Sequence, residues 1–439
     1  MLTVLAACGT VAERPQPAQS PAAAPTTATA PAVDITAPTS APPPVMPVET
    51  TPQPPADTSA ARNAIRVAML VPLSGPNAAI GKSLLEAAQL ALFDQSDDRI
   101  VLLPRDTKGT PQGAEAAARA ALSEGAQVIL GPLFAQSVAV VAPLARARSV
   151  PVITFSNDRS VAGGGVYVFG LVPGAQVERV IGVAAKRGLT RLAVLAPDSP
   201  YGRTVMGAAT DAATRFGGQV VISQSYPPEQ ADLSGLVRRF TNHETRRMIL
   251  DEQRKLLMAA GDEVSRQALR RLEGIETLGD AGFDALLLPE GGARLRALAP
   301  LFPYYDIDPK KVRFLGTWLW GEQGIGTESA LVGGWFATPP PDLARRFNQR
   351  FQASYGRQPP RLASLGYDAV ALVAALARDT SPQPFRATAF ADPSGFAGYN
   401  GIFRFSDGVA ERGLAVVEVQ ANNWRVIDPA PTTFQTPVN

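Results

Sequence analysis

From Ala64 onward, short apolar runs alternate with Ala-rich helical stretches, and this alternation limits the fold more than any other feature of the chain. Ile65-Arg66-Val67-Ala68-Met69-Leu70-Val71 is a β-rich run ended by Pro72, and a helical stretch follows from Gly81 to Leu92. Similar runs stand at 100–103, 128–130, 152–155, 192–195, 220–223, 285–288 and 312–315, most of them separated by helical stretches such as 114–124 and 138–147. Strands that are apolar along their whole length need cover on both faces, which predicts α/β architecture with parallel sheets flanked by helices. Sheets of that kind bind ligands in the crevice at the carboxyl ends of their strands.

The residues at those strand ends are the candidate ligand contacts. They are Ser74 and Gly75; Phe134, Ala135, Gln136 and Ser137 after Gly131-Pro132-Leu133; Thr154, Ser156, Asn157 and Asp158; Asp198 and Tyr201 around Ser199-Pro200; and Glu290 before Gly291-Gly292. Most of these loops precede a helix, whose first N–H groups favour an anion. Each loop taken alone is equally a tight strand-to-helix turn. Gly75 to Gly81-Lys82-Ser83 imitates a phosphate-binding loop, but five residues separate its glycines where that motif needs four, and Pro76 lacks the backbone donor.

Composition removes several classes of chemistry. The net charge is only +2, too little for nucleic-acid or membrane binding through bulk electrostatics. The chain has one cysteine, Cys8, and one histidine, His243, so no internal disulfide and no Cys/His zinc site can be assembled. His243 stands in the charged run Thr241-Asn242-His243-Glu244 and reads as a solvated surface histidine. No metal, no cofactor and no catalytic residues are expected, and the chain reads as a non-enzyme.

The amino terminus carries a different message. Leu5-Ala6-Ala7-Cys8 followed by Gly9 has the form of a lipobox, predicting lipidation at Cys8 and a truncated signal over residues 1–8. That segment lacks the basic start and long apolar core of a signal peptide, so an earlier start is expected. Residues 9–62 are rich in Pro, Ala, Thr and Ser and read as a disordered tether. Contact with a membrane is expected through the lipid alone, with the outer membrane favoured because no Asp follows Cys8 directly.

The ordered motifs carry a resemblance. Val71-Pro72-Leu73-Ser74-Gly75-Pro76 through Gly81, Val128-Ile129-Leu130-Gly131-Pro132-Leu133 with Val150-Pro151-Val152-Ile153-Thr154, Asp198-Ser199-Pro200-Tyr201-Gly202, and Phe396-Ala397-Gly398-Tyr399-Asn400-Gly401 running on to Gly408 resemble the type I periplasmic binding proteins of the branched-chain amino-acid receptor group. The resemblance implies two Rossmann-like lobes, each a parallel sheet flanked by helices, with a ligand between them. The first lobe is expected over 64–172 plus 338–390, the second over 173–337 plus 391–427, and a tail over 428–439. Residues 333–338 are expected to form the second crossing between lobes. The family's ligand-holding hydroxyl after Gly-Pro-Leu is replaced here by Phe134-Ala135-Gln136, whereas Tyr201 matches a ligand-packing aromatic and Glu290 suits an ammonium group.

A helical insertion over 236–274 departs from a plain solute receptor. It holds nine Arg or Lys and six Asp or Glu, with Leu250, Leu257 and Val264 recurring every seven residues as a helical seam. Asp251/Lys255 and Asp262/Arg266 have i,i+4 spacing, and Gly261-Asp262 suggests a break between two helices. The insertion reads either as an excursion packed on its own lobe or as an arm presenting Arg238, Arg239, Arg246, Arg247, Arg254 and Arg270 to a partner. With the lipobox and the tether it resembles the penicillin-binding protein activators, lipoproteins that stimulate peptidoglycan synthases. No Ser-x-x-Lys occurs, so the chain is not itself a transpeptidase. The leading expectation is therefore a periplasmic lipoprotein that activates a penicillin-binding protein. The alternative is a lipid-anchored receptor delivering an amino acid or similar small molecule to an ABC transporter.

Overall fold

The computed structural model describes residues 64–434 apart from 380 and 382. Cys8 and the tether over 9–62 lie outside the described residues, as does the end of the expected tail. Among the described residues no helix is long and apolar enough to cross a membrane.

The alternation resolves into two sheets. The first holds β1 (Ile65–Val71), β2 (Ile100–Asp106), β3 (Val128–Leu130), β4 (Val152–Thr154) and β5 (Val166–Val168), parallel and in the order β2-β1-β3-β4-β5. The second holds β6 (Arg191–Pro197), β7 (Gln219–Tyr226), β8 (Ala285–Leu287), β9 (Arg313–Gly316) and β10 (Trp335–Thr338), parallel in the order β7-β6-β8-β9-β10. Side chains of a strand alternate between faces, and here both faces are cores. Val67, Met69 and Val71 pack with Leu84 and Leu365 on one side of the first sheet, while Ala68 and Leu70 pack with Ala118 and Val141 on the other. In the second sheet Ala193 and Leu195 face Phe302 and Phe314, whereas Leu192 and Val194 face Val180 and Ala209.

Helix starts follow from local chemistry. Thr110 and Ser199 accept from the backbone N–H groups of Gly113 and Gly202 at 3.1 and 3.0 Å, and each is followed by a proline at the first helical position. The helix Ala78–Gln95 lies so close to the end of β1 that a Cβ on Gly81 would sit 1.8 Å from the Pro72 carbonyl oxygen. Only glycine allows that approach.

The closing strands correct the expected lobe boundaries. β11 (Phe396–Gly398), β12 (Gly401–Ser406) and β13 (Val409–Arg412) extend the first sheet beyond β5, and only β14 (Ala415–Val419) and β15 (Trp424–Asp428) extend the second beyond β10. The chain therefore returns to the second lobe at 413–414, not at 391. The reason is aromatic packing: Phe403 meets Phe169 edge-on at 4.9 Å and Phe405 meets Tyr167 at 5.2 Å, both in the first lobe. Residues 333–338 do not form the second crossing either. β10 is an internal strand paired to β9 and β14, and the chain crosses after it, at 339–340.

The insertion is three helices, Leu233–Phe240, His243–Ala260 and Glu263–Arg271, with the break at Gly261-Asp262. Its seam is shorter than the heptad spacing predicts. Leu250 is fully buried, Leu257 half-buried, and Val264 is 77% exposed. Gly261 takes a left-handed conformation that ends one helix, so the register does not carry across to the next. The expected i,i+4 pairs are replaced by the i,i+3 pairs Arg254–Asp251, Lys255–Glu252 and Arg266–Glu263, while Asp262 instead caps its helix by accepting from Ser265 N–H at 2.7 Å. His243 is not solvated. It is 8% exposed and packs edge-on against Tyr305 at 5.1 Å, because the helix it opens is laid against the second lobe.

Candidate functional site

The carboxyl ends of the strands converge on a cleft of about 450 Å³ between the lobes. The first lobe contributes Phe134 after β3, Phe155 and Asn157 after β4, and Pro360-Arg361-Leu362 from the connection between the helices Pro341–Tyr355 and Ser364–Leu376. The second contributes Tyr201 from the start of the helix Pro200–Arg215 and Trp318-Leu319 after β9. Gln176 fixes the crossing to this wall. Its amide donates to the Leu171 carbonyl at 3.2 Å and its oxygen accepts from Trp318 N–H at 2.9 Å.

Two features give the cleft its chemistry. The Arg361 guanidinium lies over the Trp318 ring, 4.5 Å from its centroid, and donates to the Trp318 carbonyl, so one side chain bridges both lobes. Crowding by protein lowers the Arg361 pKa, opposed by the charge of Glu322, and Glu322 itself pairs with Arg296 at 3.6 Å. On the same wall as Trp318, the Tyr201 hydroxyl shares a 2.8 Å hydrogen bond with Thr317 Oγ1. Burial pushes its pKa up to about 12, against the Thr317 hydrogen bond and with a smaller push from the charge of Glu290, so it stays a neutral phenol at neutral pH.

Of the residues singled out from sequence, Phe134, Asn157 and Tyr201 line this cleft. The others have structural duties. Ser74 donates its hydroxyl to Asp106 at 2.6 Å, and Gly75 turns the chain at φ 79°. Ala135 and Gln136 begin a helix and Ser137 is buried within it. Thr154 donates to the Pro132 carbonyl at 2.6 Å, and Ser156 Oγ accepts from Asp158 N–H at 3.1 Å. Asp158 accepts from the Ser160 N–H at 2.9 Å. Asp198 pairs with Arg203 at 2.8 Å, and Glu290 accepts from the Tyr226 hydroxyl.

The insertion residues divide likewise. Arg238, Arg239, Arg247 and Arg270 are exposed, but Arg246 is buried and donates to the carbonyls of Thr241 at 3.2 Å and Tyr305 at 2.7 Å. Arg254 reaches back to the carbonyls of Leu272 and Ile275, both at 2.9 Å, and ties the two long helices together. Arg246 is therefore committed to the lobe, while Arg254 stays half-buried at the surface of the arm.

Sequence reasoning missed Trp318, Arg361 and Gln176. Trp318 follows a strand end like the other loops and was findable by that rule, whereas nothing near Pro359-Pro360 marks Arg361. A larger recess of about 600 Å³ opens elsewhere between the lobes. It is walled by charged groups such as Arg215 and Glu178, which pair with each other, with Phe216 and Phe434 also in its lining.

Comparison with known proteins agrees with this fold. A family model described as periplasmic binding protein matches residues 64–245. A structure assigned to a branched-chain amino acid ABC transporter from Rhodospirillum rubrum superposes with a TM-score of 0.66 at 19% identity, covering 83% of this chain and 100% of that one. A solute-binding protein of an ABC transporter from Rhodopseudomonas palustris, in complex with 3,4-dihydroxybenzoic acid, gives 0.58 at 16% identity over 84% of this chain and 99% of that one. An uncharacterised protein of Rickettsia prowazekii is 25% identical over 179 residues, 41% of this chain, and the match spans about half, 48%, of that relative's length. The two mixed sheets, their helical cover and the interlobe cleft are those of the type I periplasmic-binding-protein fold, with a helical insertion in the second lobe.

Proposed function

We propose that this chain is a non-enzymatic periplasmic receptor whose lobes hold one small carboxylate with an aromatic or branched apolar body, for delivery to an ABC transporter. The observation that carries this reading is the Arg361–Trp318 pair across an otherwise largely apolar cleft. Apolar walls with a few convergent polar groups suit a small ligand, and a guanidinium is the side chain best shaped for a carboxylate. Arg361 would take the anion, Trp318 and Phe134 the body, and the Tyr201 phenol and Asn157 the remaining polar atoms. The likeness to a solute-binding protein holding an aromatic acid supports that ligand class. Lipidation at Cys8 would hold the receptor at a membrane, the outer one on the sequence reading.

The test is calorimetric titration with a panel of benzoates and branched-chain amino acids, paired with thermal unfolding. A ligand at 100 times its Kd stabilises the native state by about 2.7 kcal/mol. Trp318→Ala and Arg361→Ala should each weaken binding at least tenfold while leaving the unliganded melting temperature within about 2 °C. Unchanged affinity in both variants would falsify this site.

A second reading keeps the insertion as a partner-facing arm that activates a penicillin-binding protein. It is favoured by exposed apolar side chains on the two long helices, among them Met248, Leu256, Met258 and Val264. Affinity capture of a penicillin-binding protein, with stimulated glycan polymerisation, would support it. Stimulation that survives loss of the arm would sink it.

A further inference from the structure

We propose that His243, Glu276 and Asp306 bind one divalent transition-metal ion, zinc being the best match, and that the ion clamps the helical arm to the second lobe. The three residues are far apart in sequence, yet one ligand atom from each lies within 4.8 Å of the others. They come from three segments: the first residue of the helix His243–Ala260, the connection following the helix Glu263–Arg271, and the turn after the helix Leu301–Tyr304.

His243 supplies the independent sign. Its side chain is more than nine-tenths buried, and neither imidazole nitrogen has a hydrogen-bond partner among the described residues. An unsatisfied buried polar group costs about 1–3 kcal/mol, and a metal bond would relieve that cost at one nitrogen. Asp306 is already oriented, since Thr277 Oγ1 donates to its Oδ2 at 2.9 Å. Supports of that kind hold metal-binding carboxylates in place. Glu276 is exposed and can swing inward.

The donor set decides the ion. One imidazole and two carboxylates suit zinc and its neighbours, whereas calcium requires six to eight oxygens. Ligand atoms around a tetrahedral zinc stand about 3.4 Å apart, so the cluster needs to contract by at most about 1.5 Å. The neighbouring charges set the strength. Arg246 donates to the Asp306 carbonyl at 3.4 Å and offsets one of the two carboxylates. The bound cluster would carry a net positive charge, which points to an affinity on the order of micromolar. With one cysteine and one histidine, the chain has no Cys/His zinc site. Two carboxylates brought in by the fold fill the places that count left empty.

The experiment is titration of zinc chloride into the chelator-stripped full chain, read by calorimetry and by metal content at equilibrium dialysis against a buffer holding free zinc above the expected Kd. Cys8→Ser is run in parallel, so that the single thiol cannot supply the signal. The proposal expects one zinc per chain in both proteins, and slower amide exchange over 243–260 and 272–280 when zinc is present. Glu276→Gln, an exposed change that leaves the fold alone, and Asp306→Asn should each weaken binding at least tenfold, and His243→Gln should abolish it. No zinc bound by Cys8→Ser in the titration, or an affinity equal to the parent's in both Glu276→Gln and His243→Gln, overturns the proposal.

Discussion

Asp368 shows how much a single buried group can hold. It is buried within the helix Ser364–Leu376, where its carboxylate accepts from Tyr399 N–H at 2.7 Å, Asn400 N–H at 2.9 Å and the Asn400 amide at 2.8 Å. Burial raises its pKa, opposed chiefly by the charge of Arg412. Asp368→Ala would strand the two backbone donors and leave Arg412 buried without its counter-charge, so a loss of about 3–5 kcal/mol is expected in urea unfolding. Glu115→Ala, which removes an exposed pair with Arg119, should change stability by less than about 0.5 kcal/mol in the same assay. Acid acts through a different aspartate. The hydrogen bond from Arg191 holds Asp284 below its ordinary 3.8, against the effect of its burial, so the folded state binds this proton less readily than the unfolded chain. Its contribution is complete above about pH 4 and is lost as pH falls through the lowered folded value. Asp284→Asn should therefore be less stable than the parent near pH 6, and the gap should narrow near pH 3.

At the level of elements, the helical insertion divides into core and arm. Leu236, Val237 and Phe240 belong to the second lobe's core with Phe283 and Phe302, and Leu250 is fully buried. Removing residues 238–273 as a block would therefore unfold the lobe, and Phe240→Ala alone should cost about 3–5 kcal/mol. Replacing 255–271 with a short Gly-Ser linker should leave the melting temperature within a few degrees, since Arg254 already lies against Leu272 and Ile275. That variant separates the two functional readings. It should retain ligand binding in the cleft and lose any stimulation of a synthase. The sequence showed the strands whose residues are apolar on both faces, such as Val128–Leu130, and the helix break at Gly261. It did not show β5, where Tyr167 interrupts a three-residue run, nor β10, whose Gly333-Gly334 preface resembled a crossing. Periodicity reports burial along one element. It says nothing about which sheet the hairpin over 396–412 joins, because that depends on Phe403 and Phe405 finding Phe169 and Tyr167 far away in the chain. In the cleft, strand-end logic found Phe134, Asn157 and Tyr201 but not Arg361, which lies between two helices.

For the whole molecule, the Arg361–Trp318 bridge joins the two lobes directly, so occupancy of the cleft should be visible in the intrinsic fluorescence of Trp318. A bound carboxylate should alter the emission of the parent protein, and Trp318→Phe should remove that change while keeping part of the affinity. The order of strands has a further consequence, for how the protein is made. β5 waits for β13 and β10 waits for β14, so each of these two strands stays unpaired on one side until its later partner arrives. Emerging in order from the ribosome, the chain can complete neither sheet before residues 409–419 have been made. A stop codon near residue 390 would strip both partners at once, leaving β5 and β10 unpaired on one side, and should send the shortened chain into the insoluble fraction.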